Sequence, residues 1–241
     1  MLQNDLIGFG LFIAFFIVAG LPPILFKVYL NTSFEATRKM YHLLINLSIF
    51  PLLKLFSTWY MAVFAVFAFV LLVYPILVLG ERSSFYQRIA VEREDGEFKK
   101  SLLIIQVLIA ILISIFWDLL GIDWQYVAVV AVLAWGFGGA AAALVGKAIG
   151  RGQIQHPWIE GAKTYEGTLA MFVVAGLTIF FTLLVYAGQS WQASLAVAAI
   201  LAPVSATVEL FSNRGIDTLT VPLSVAFLVP PLISVLSILG I

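Results

Sequence analysis

Three short stretches of this chain bring together side chains that phosphate chemistry can use. The first holds Glu35, Arg38, Lys39 and His42, at relative positions i, i+3, i+4 and i+7. That spacing gathers all four on one face of a helix. Thr32 or Ser33 would cap the start of this helix, with Glu35 in its first turn. Two readings stay open for the face. One is a salt-bridged interfacial helix whose cations attract anionic headgroups. The other is a cationic wall for a phosphate, with His42 as proton acceptor or orienting group.

The second stretch is Lys163, Thr164, Glu166 and Gly167. Lys163 supplies a point charge suited to phosphate, and Thr164 can donate a hydroxyl. The apolar run that follows would start a helix here, and its free N–H groups would point into the same space. Glu166 either caps that start or holds a divalent cation. The third stretch is Glu209, Asn213, Arg214 and Asp217. Glu209 interrupts an apolar run, so it should face a partner or a metal rather than lipid. Asp217 opens the next run as an N-cap or a metal ligand. Carboxylates, cations and helix N-termini are the inventory of a metal–nucleotide site, which points to an enzyme or transporter of a phosphorylated substrate.

A nearby glycine-rich run only mimics a phosphate loop. The phosphate-loop pattern needs Gly at Ala141 and Ser or Thr at Ala148. Gly138, Ala142, Gly146 and Gly150 instead recur every four residues, a small-residue stripe for close helix packing.

The elements that must position these groups are set by composition. The chain has 241 residues, is 62% hydrophobic and only 11% charged, and has a mean hydropathy of +1.07. A soluble domain is about 25% charged. So few charges cannot cover a water-facing globule, and lipid must solvate much of the surface. This excludes a soluble enzyme and a disordered chain. A formal net charge of zero leaves no basic field for nucleic acid. With no cysteine, disulfides, thiolate metal sites and a cysteine nucleophile are excluded.

Eight apolar stretches follow, at roughly 7–26, 42–56, 59–79, 101–120, 126–147, 168–188, 191–210 and 218–240. The expected fold is all-α: one polytopic transmembrane domain, 1–241, of about eight helices. The first stretch has Asp5 and no cation before Lys27, so it reads as a retained span rather than a secretory signal. The second is weakest, because it holds Pro51 and Lys54; its alternative is a re-entrant or interfacial helix. Charge tests the scheme. Lys27, Arg38, Lys39, Arg82, Arg88, Arg93, Lys99, Lys100, Lys147, Arg151, Lys163 and Arg214 fall in alternate loops, and only Lys54 falls on the other side. Cations concentrate on the cytoplasmic side of membrane proteins. The segments 27–41, 81–100, 148–167 and 211–217 are therefore expected in the cytoplasm and both termini outside. Trp117, Trp124 and Trp191 fall at interface depth. Segment 81–100 reads as a solvated connection.

Several runs carry a family resemblance. Residues 135–150 (WGFGGAAAALVGKAIG), 163–171 (KTYEGTLAM) and 208–222 (VELFSNRGIDTLTVP) resemble the phytol kinase/dolichol kinase family. These are polytopic, CTP-dependent lipid-alcohol kinases, distantly similar to phosphatidate cytidylyltransferases. ArgLysMetTyrHis at 38–42 resembles the family's early Arg-Lys-x-x-His element, and 92–102 resembles a loop of bacterial members. The resemblance runs in order from about 35 to 225. It implies CTP-dependent phosphorylation of a long-chain isoprenoid or similar alcohol at a prokaryotic plasma membrane, on the cytoplasmic side. It implies nucleotide binding by Lys163, Thr164, Glu166 and Gly167; Arg38, Lys39 and Arg214 are expected as further nucleotide-binding cations. It implies importance for Arg38, Lys39 and His42 without fixing their roles, and Mg²⁺ as cofactor with Asp217 as a candidate ligand; His42, Lys163 and Asp217 are the expected catalytic residues. The family pattern has Asp where this chain has Gly139. That leaves Asp217, Glu166 and Glu209 as candidate metal ligands. The rival readings are a cytidylyltransferase making a CDP-lipid, and an inactive relative that binds lipid or a partner.

The cation pattern makes a topological prediction for this cysteine-free chain. Single cysteines at Ser83 and Gln155 should react with an impermeant maleimide only from the cytoplasm, and one at Gln189 only from outside. Labelling of Ser83 and Gln189 from one side would overturn it.

Overall fold

A backbone in lipid must satisfy its own N–H and C=O groups, and a helix does so within one segment. The computed structural model describes residues 2–80, 83, 97–159, 163–213 and 215–241, and those residues are helical apart from short connections. Their one extended feature is an isolated bridge between Gln153 and Thr164. Seven of the described helices are long and apolar enough to cross a membrane, as expected of a polytopic all-α protein. Contacts divide the chain into two compact units, Met1–Leu119 and Leu120–Ile241.

The first unit opens with α1 (Leu2–Tyr29). A turn through Asn31, at φ 47°, leads into α2 (Phe34–Leu47). Asparagine tolerates that left-handed backbone. Then come α3 (Ile49–Leu55), α4 (Trp59–Gly80) and α5 (Glu97–Ile113), the last running into a π-helical turn, Ser114–Leu119. The stretch expected as a second span, 42–56, is thus not one helix: it is the end of α2 and all of α3, broken at Ser48. Pro51 is the cause. It has no N–H to give the Leu47 carbonyl, and its ring crowds that carbonyl. Ser48 heals part of the break by donating its N–H and its hydroxyl to the Ile45 carbonyl, at 3.2 and 2.6 Å.

The broken pair still brings the chain back along α1. Lys27 Nζ donates to the Thr32 carbonyl at 3.3 Å, which fixes the turn at one end. A Cβ on Gly20 would lie 3.9 Å from Leu44, and one on Gly8 only 2.7 Å from the Leu55 carbonyl oxygen. At the far end Asp5 accepts from the Ser57 N–H and hydroxyl at 3.1 and 3.0 Å. α4 therefore starts beside the start of α1. Phe12, wholly buried, meets Phe56 and Phe69 edge-on at 6.4 and 5.6 Å between ring centres.

The second unit follows a 3₁₀ turn, Ile122–Trp124, with α6 (Tyr126–Ile149) and α7 (Tyr165–Phe181), which ends in a π-helical turn, Thr182–Tyr186. Next come α8 (Trp191–Phe211) and α9 (Asp217–Ile238). Gly215, at φ +78°, makes the turn between these two, a backbone that a side chain would strain. α6 is the central helix. Val127 through Val132 have no exposed surface, and α7 and α9 both pack against α6 and α8.

The small-residue stripe is the seam between α6 and α7. A Cβ on Gly138 would strike Met171 Sδ at 2.6 Å, and one on Gly167 would meet the Ala142 carbonyl oxygen at 2.9 Å. Gly139, one residue along, faces open space apart from Trp135, whose nearest atom is 3.8 Å away. Gly138→Leu should therefore lower the melting temperature in detergent by several degrees, since overpacking a close seam costs about 1–3 kcal/mol. Gly139→Ala should leave it nearly unchanged. Equal effects would mean that the seam does not set the spacing of these helices.

Candidate functional site

The seam also fixes the first turn of α7, where the sequence put a phosphate-binding group. Thr164 is the N-cap. Its Oγ1 accepts the Gly167 N–H at 3.1 Å, and the residue is 8% exposed. A Cβ on Gly146 would come within 3.0 Å of that oxygen, so only glycine lets α6 approach the cap this closely. The cap is anchored from the other side as well. Ile154 N–H donates to the Lys163 carbonyl at 2.9 Å, and Tyr165 N–H to the Gly152 carbonyl at 3.1 Å. Residues 150–154 thus run antiparallel to 163–165, and Lys163 has a defined backbone position.

Lys163 reaches α8. Its ammonium donates to the Glu209 carbonyl oxygen at 3.0 Å and forms an ion pair with the Glu209 carboxylate. Glu209 is 8% exposed, so the expectation that it faces a partner rather than lipid agrees with this contact. A carboxylate so buried in a membrane helix needs such a countercharge. Glu166, near the start of α7, accepts the N–H groups of Arg151 and Gly152 at 3.1 and 3.4 Å through Oε1. It therefore braces the turn after α6. Its Oε2 is buried with no hydrogen-bond partner among the described residues.

Asp217 is the first residue of α9, with Ile216 in the capping position. Its Oδ2 accepts the indole N–H of Trp135 at 3.1 Å. This bond ties α6 to α9. Asn213 Nδ2 donates to the Trp158 carbonyl at 3.2 Å, joining the turn before α9 to the loop before Lys163. Arg214 lies outside the described residues.

The second unit therefore brings Lys163 onto Glu209 and places Thr164, Glu166 and Gly167 at the α6–α7 seam. It does not gather the three carboxylates. Glu209, Glu166 and Asp217 each have a separate set of partners, and among the described residues no three His, Asp or Glu side chains are grouped to hold a metal ion.

In the first unit, Ser33 caps α2 by accepting the Ala36 N–H at 3.3 Å. Arg38 pairs with Glu35, and both are buried, at 8% and 4% exposure. Lys39 and His42 are half-buried on the same helix. The face that spacing identified is thus turned largely into the protein.

Two features escaped the sequence reading. Trp135 lies in an apolar run, and nothing in its spacing announces an acidic partner 82 residues away. His156, Trp158 and Phe211 form an edge-to-face cluster, with ring centres at 5.4 and 6.0 Å from His156. A histidine and a tryptophan two apart in a polar loop were the signal available for it.

Gly139 sits beside this geometry. A Cβ there points toward Trp135 Nε1, the donor that Asp217 uses. Gly139→Asp would set a second carboxylate near Asp217 and make the two compete for one N–H. Two carboxylates so placed repel unless a cation lies between them. The variant should melt below the parent without divalent cations and recover as Mg²⁺ is titrated. A deficit that persists at every Mg²⁺ concentration would show that no cation binds between positions 139 and 217.

Among known proteins, this chain is similar to a phytol kinase of Synechocystis sp., with 41% identity over 99 residues. The match covers 41% of this chain and 40% of that protein's length. No family model and no solved structure matches.

Proposed function

We propose that this protein is a membrane-embedded kinase that phosphorylates a long-chain lipid alcohol, of the phytol or polyprenol type, with CTP as donor. The observation that carries the reading is the 41% identity to a protein named phytol kinase. The geometry supports it at one place. Lys163 is a cation held at the start of α7 next to backbone N–H groups, and its partner Glu209 is an anion that an incoming phosphate would replace. In this reading the nucleotide's phosphates lie over the first turn of α7. Lys163 then exchanges Glu209 for phosphate oxygen, while Thr164 and Gly167 keep the turn in shape.

Phosphoryl transfer needs positioning and charge neutralisation more than covalent help from the protein. The side chains described do not form a three-carboxylate cage, so Mg²⁺ enters this reading only as the counter-ion of CTP. In the first unit, His42 shares α2 with the cations Arg38 and Lys39. Cytoplasmic placement of the site follows from the cation pattern of the loops. One rival has an observation in its favour. Gly139 and the separate engagement of Glu166, Glu209 and Asp217 suit a relative that binds lipid without catalysis.

The test is purified protein in lipid with labelled CTP and a panel of isoprenoid alcohols. The expected products are CDP and a lipid monophosphate; pyrophosphate and a CDP-lipid would establish a cytidylyltransferase instead. Lys163→Ala should cut turnover at least ~100-fold, the usual scale for losing a preorganised charge on a transferring phosphate. Lys100→Ala, at an exposed position in the first turn of α5, should cost little. No product from any alcohol would favour the binding protein.

A further inference from the structure

Asn46 on α2 and Gln106 on α5 are 1% and 0% exposed. Neither the amide nitrogen nor the amide oxygen of either has a hydrogen-bond partner among the described residues. Buried amides are nearly always paired, and unmet ones in apolar surroundings are costly. Four such atoms in one unit call for a guest.

α2 and α5 pack against each other. α2 starts beside the end of α1, while α4 starts beside the beginning of α1, so α2 and the next helix after α4 run in the same direction. At 1.5 Å per residue, Asn46 lies ~18 Å from the start of α2 and Gln106 ~14 Å from the start of α5. Along α2 the polar residues Glu35, Arg38, His42 and Asn46 recur at i, i+3, i+7 and i+11, one continuous face. Asn46 is one turn beyond His42. Their neighbours Ile45, Ile105 and Ile109 are buried apolar side chains.

The chemistry narrows the guest further. A primary amide offers two N–H donors and one acceptor oxygen, with no charge. A hydroxyl both donates and accepts, so one hydroxyl can serve an amide oxygen and an amide N–H together. A phosphate would be an uncompensated anion between two neutral amides. We propose that Asn46 and Gln106 bind the hydroxyl of the lipid alcohol, one helical turn from His42, with the alcohol's chain among the apolar neighbours. This rests on the lipid-alcohol reading above.

The experiment avoids turnover, so the two readings can fail separately. Full-length protein in lipid nanodiscs, without nucleotide, is irradiated with diazirine-bearing geranylgeraniol or with its methyl ether, which keeps the chain but cannot donate. The expected result is several-fold greater capture of the alcohol, mapped to peptides of α2 and α5. Asn46→Leu and Gln106→Leu should each reduce that preference by about fivefold to tenfold, the scale of one hydrogen bond. Equal capture of alcohol and ether by the parent protein overturns the proposal. So does an undiminished preference in variants that melt normally. A preference that persists while the single variants are destabilised and the double variant is not would assign the amides to each other or to a trapped water, and also overturns it. Where a variant fails to fold, the alcohol-against-ether comparison in the parent decides. Preferential capture without phosphorylation of any alcohol would leave this site standing and remove the kinase reading.

Discussion

The contact between α6 and the first turn of α7 is the constraint on which the second unit's chemistry depends. Gly146 and Gly167 let two backbones approach until Thr164 lies wedged between them, capping α7 while filling the seam. Small residues at membrane helix interfaces act in this way because lipid provides no hydrophobic drive to hold helices together, and close packing must do it. A side chain at either glycine would push the helices apart. Lys163 would then lose the bridge that fixes its backbone, and Glu166 would lose the amides of Arg151 and Gly152. Packing and charge placement are here one structural fact.

The charged groups of this unit are satisfied in pairs rather than pooled. Lys163 holds Glu209, Trp135 holds Asp217, and two backbone amides hold Glu166. A buried carboxylate such as Glu209 is expensive without a partner, and the half-exposed Glu166 and Asp217 have found nearby donors too. In the proposed reading, a nucleotide arrives with its own counter-ion and displaces one partner. The glycine at 139 contributes to the paired state, since it leaves the Trp135 indole to Asp217 alone.

The first unit solves a different problem. Its second pass is broken at Ser48, three residues before Pro51, yet the chain still returns to the start of α1. The break costs one backbone bond, and Ser48 recovers part of it. In exchange α2 keeps its own cap and its own direction. Its polar face turns inward, with Glu35 and Arg38 neutralising each other.

Much of this was legible in the sequence, because membrane spans are written in composition. An all-helical polytopic fold follows from hydropathy and backbone satisfaction alone, and the four-residue glycine period announced close packing before any partner helix was known. Glu209 was legible too, since a carboxylate in an apolar run must have a partner. Spacing could place Glu35, Arg38 and His42 on one face, but it could not say that the face points inward, because burial depends on the neighbouring helices. Nor could it separate the three carboxylates into three environments or find Trp135 for Asp217. Those are contacts between residues far apart in the chain. A hydrophobic period tells each helix which face to bury, and only the packed bundle decides which donor each buried oxygen meets.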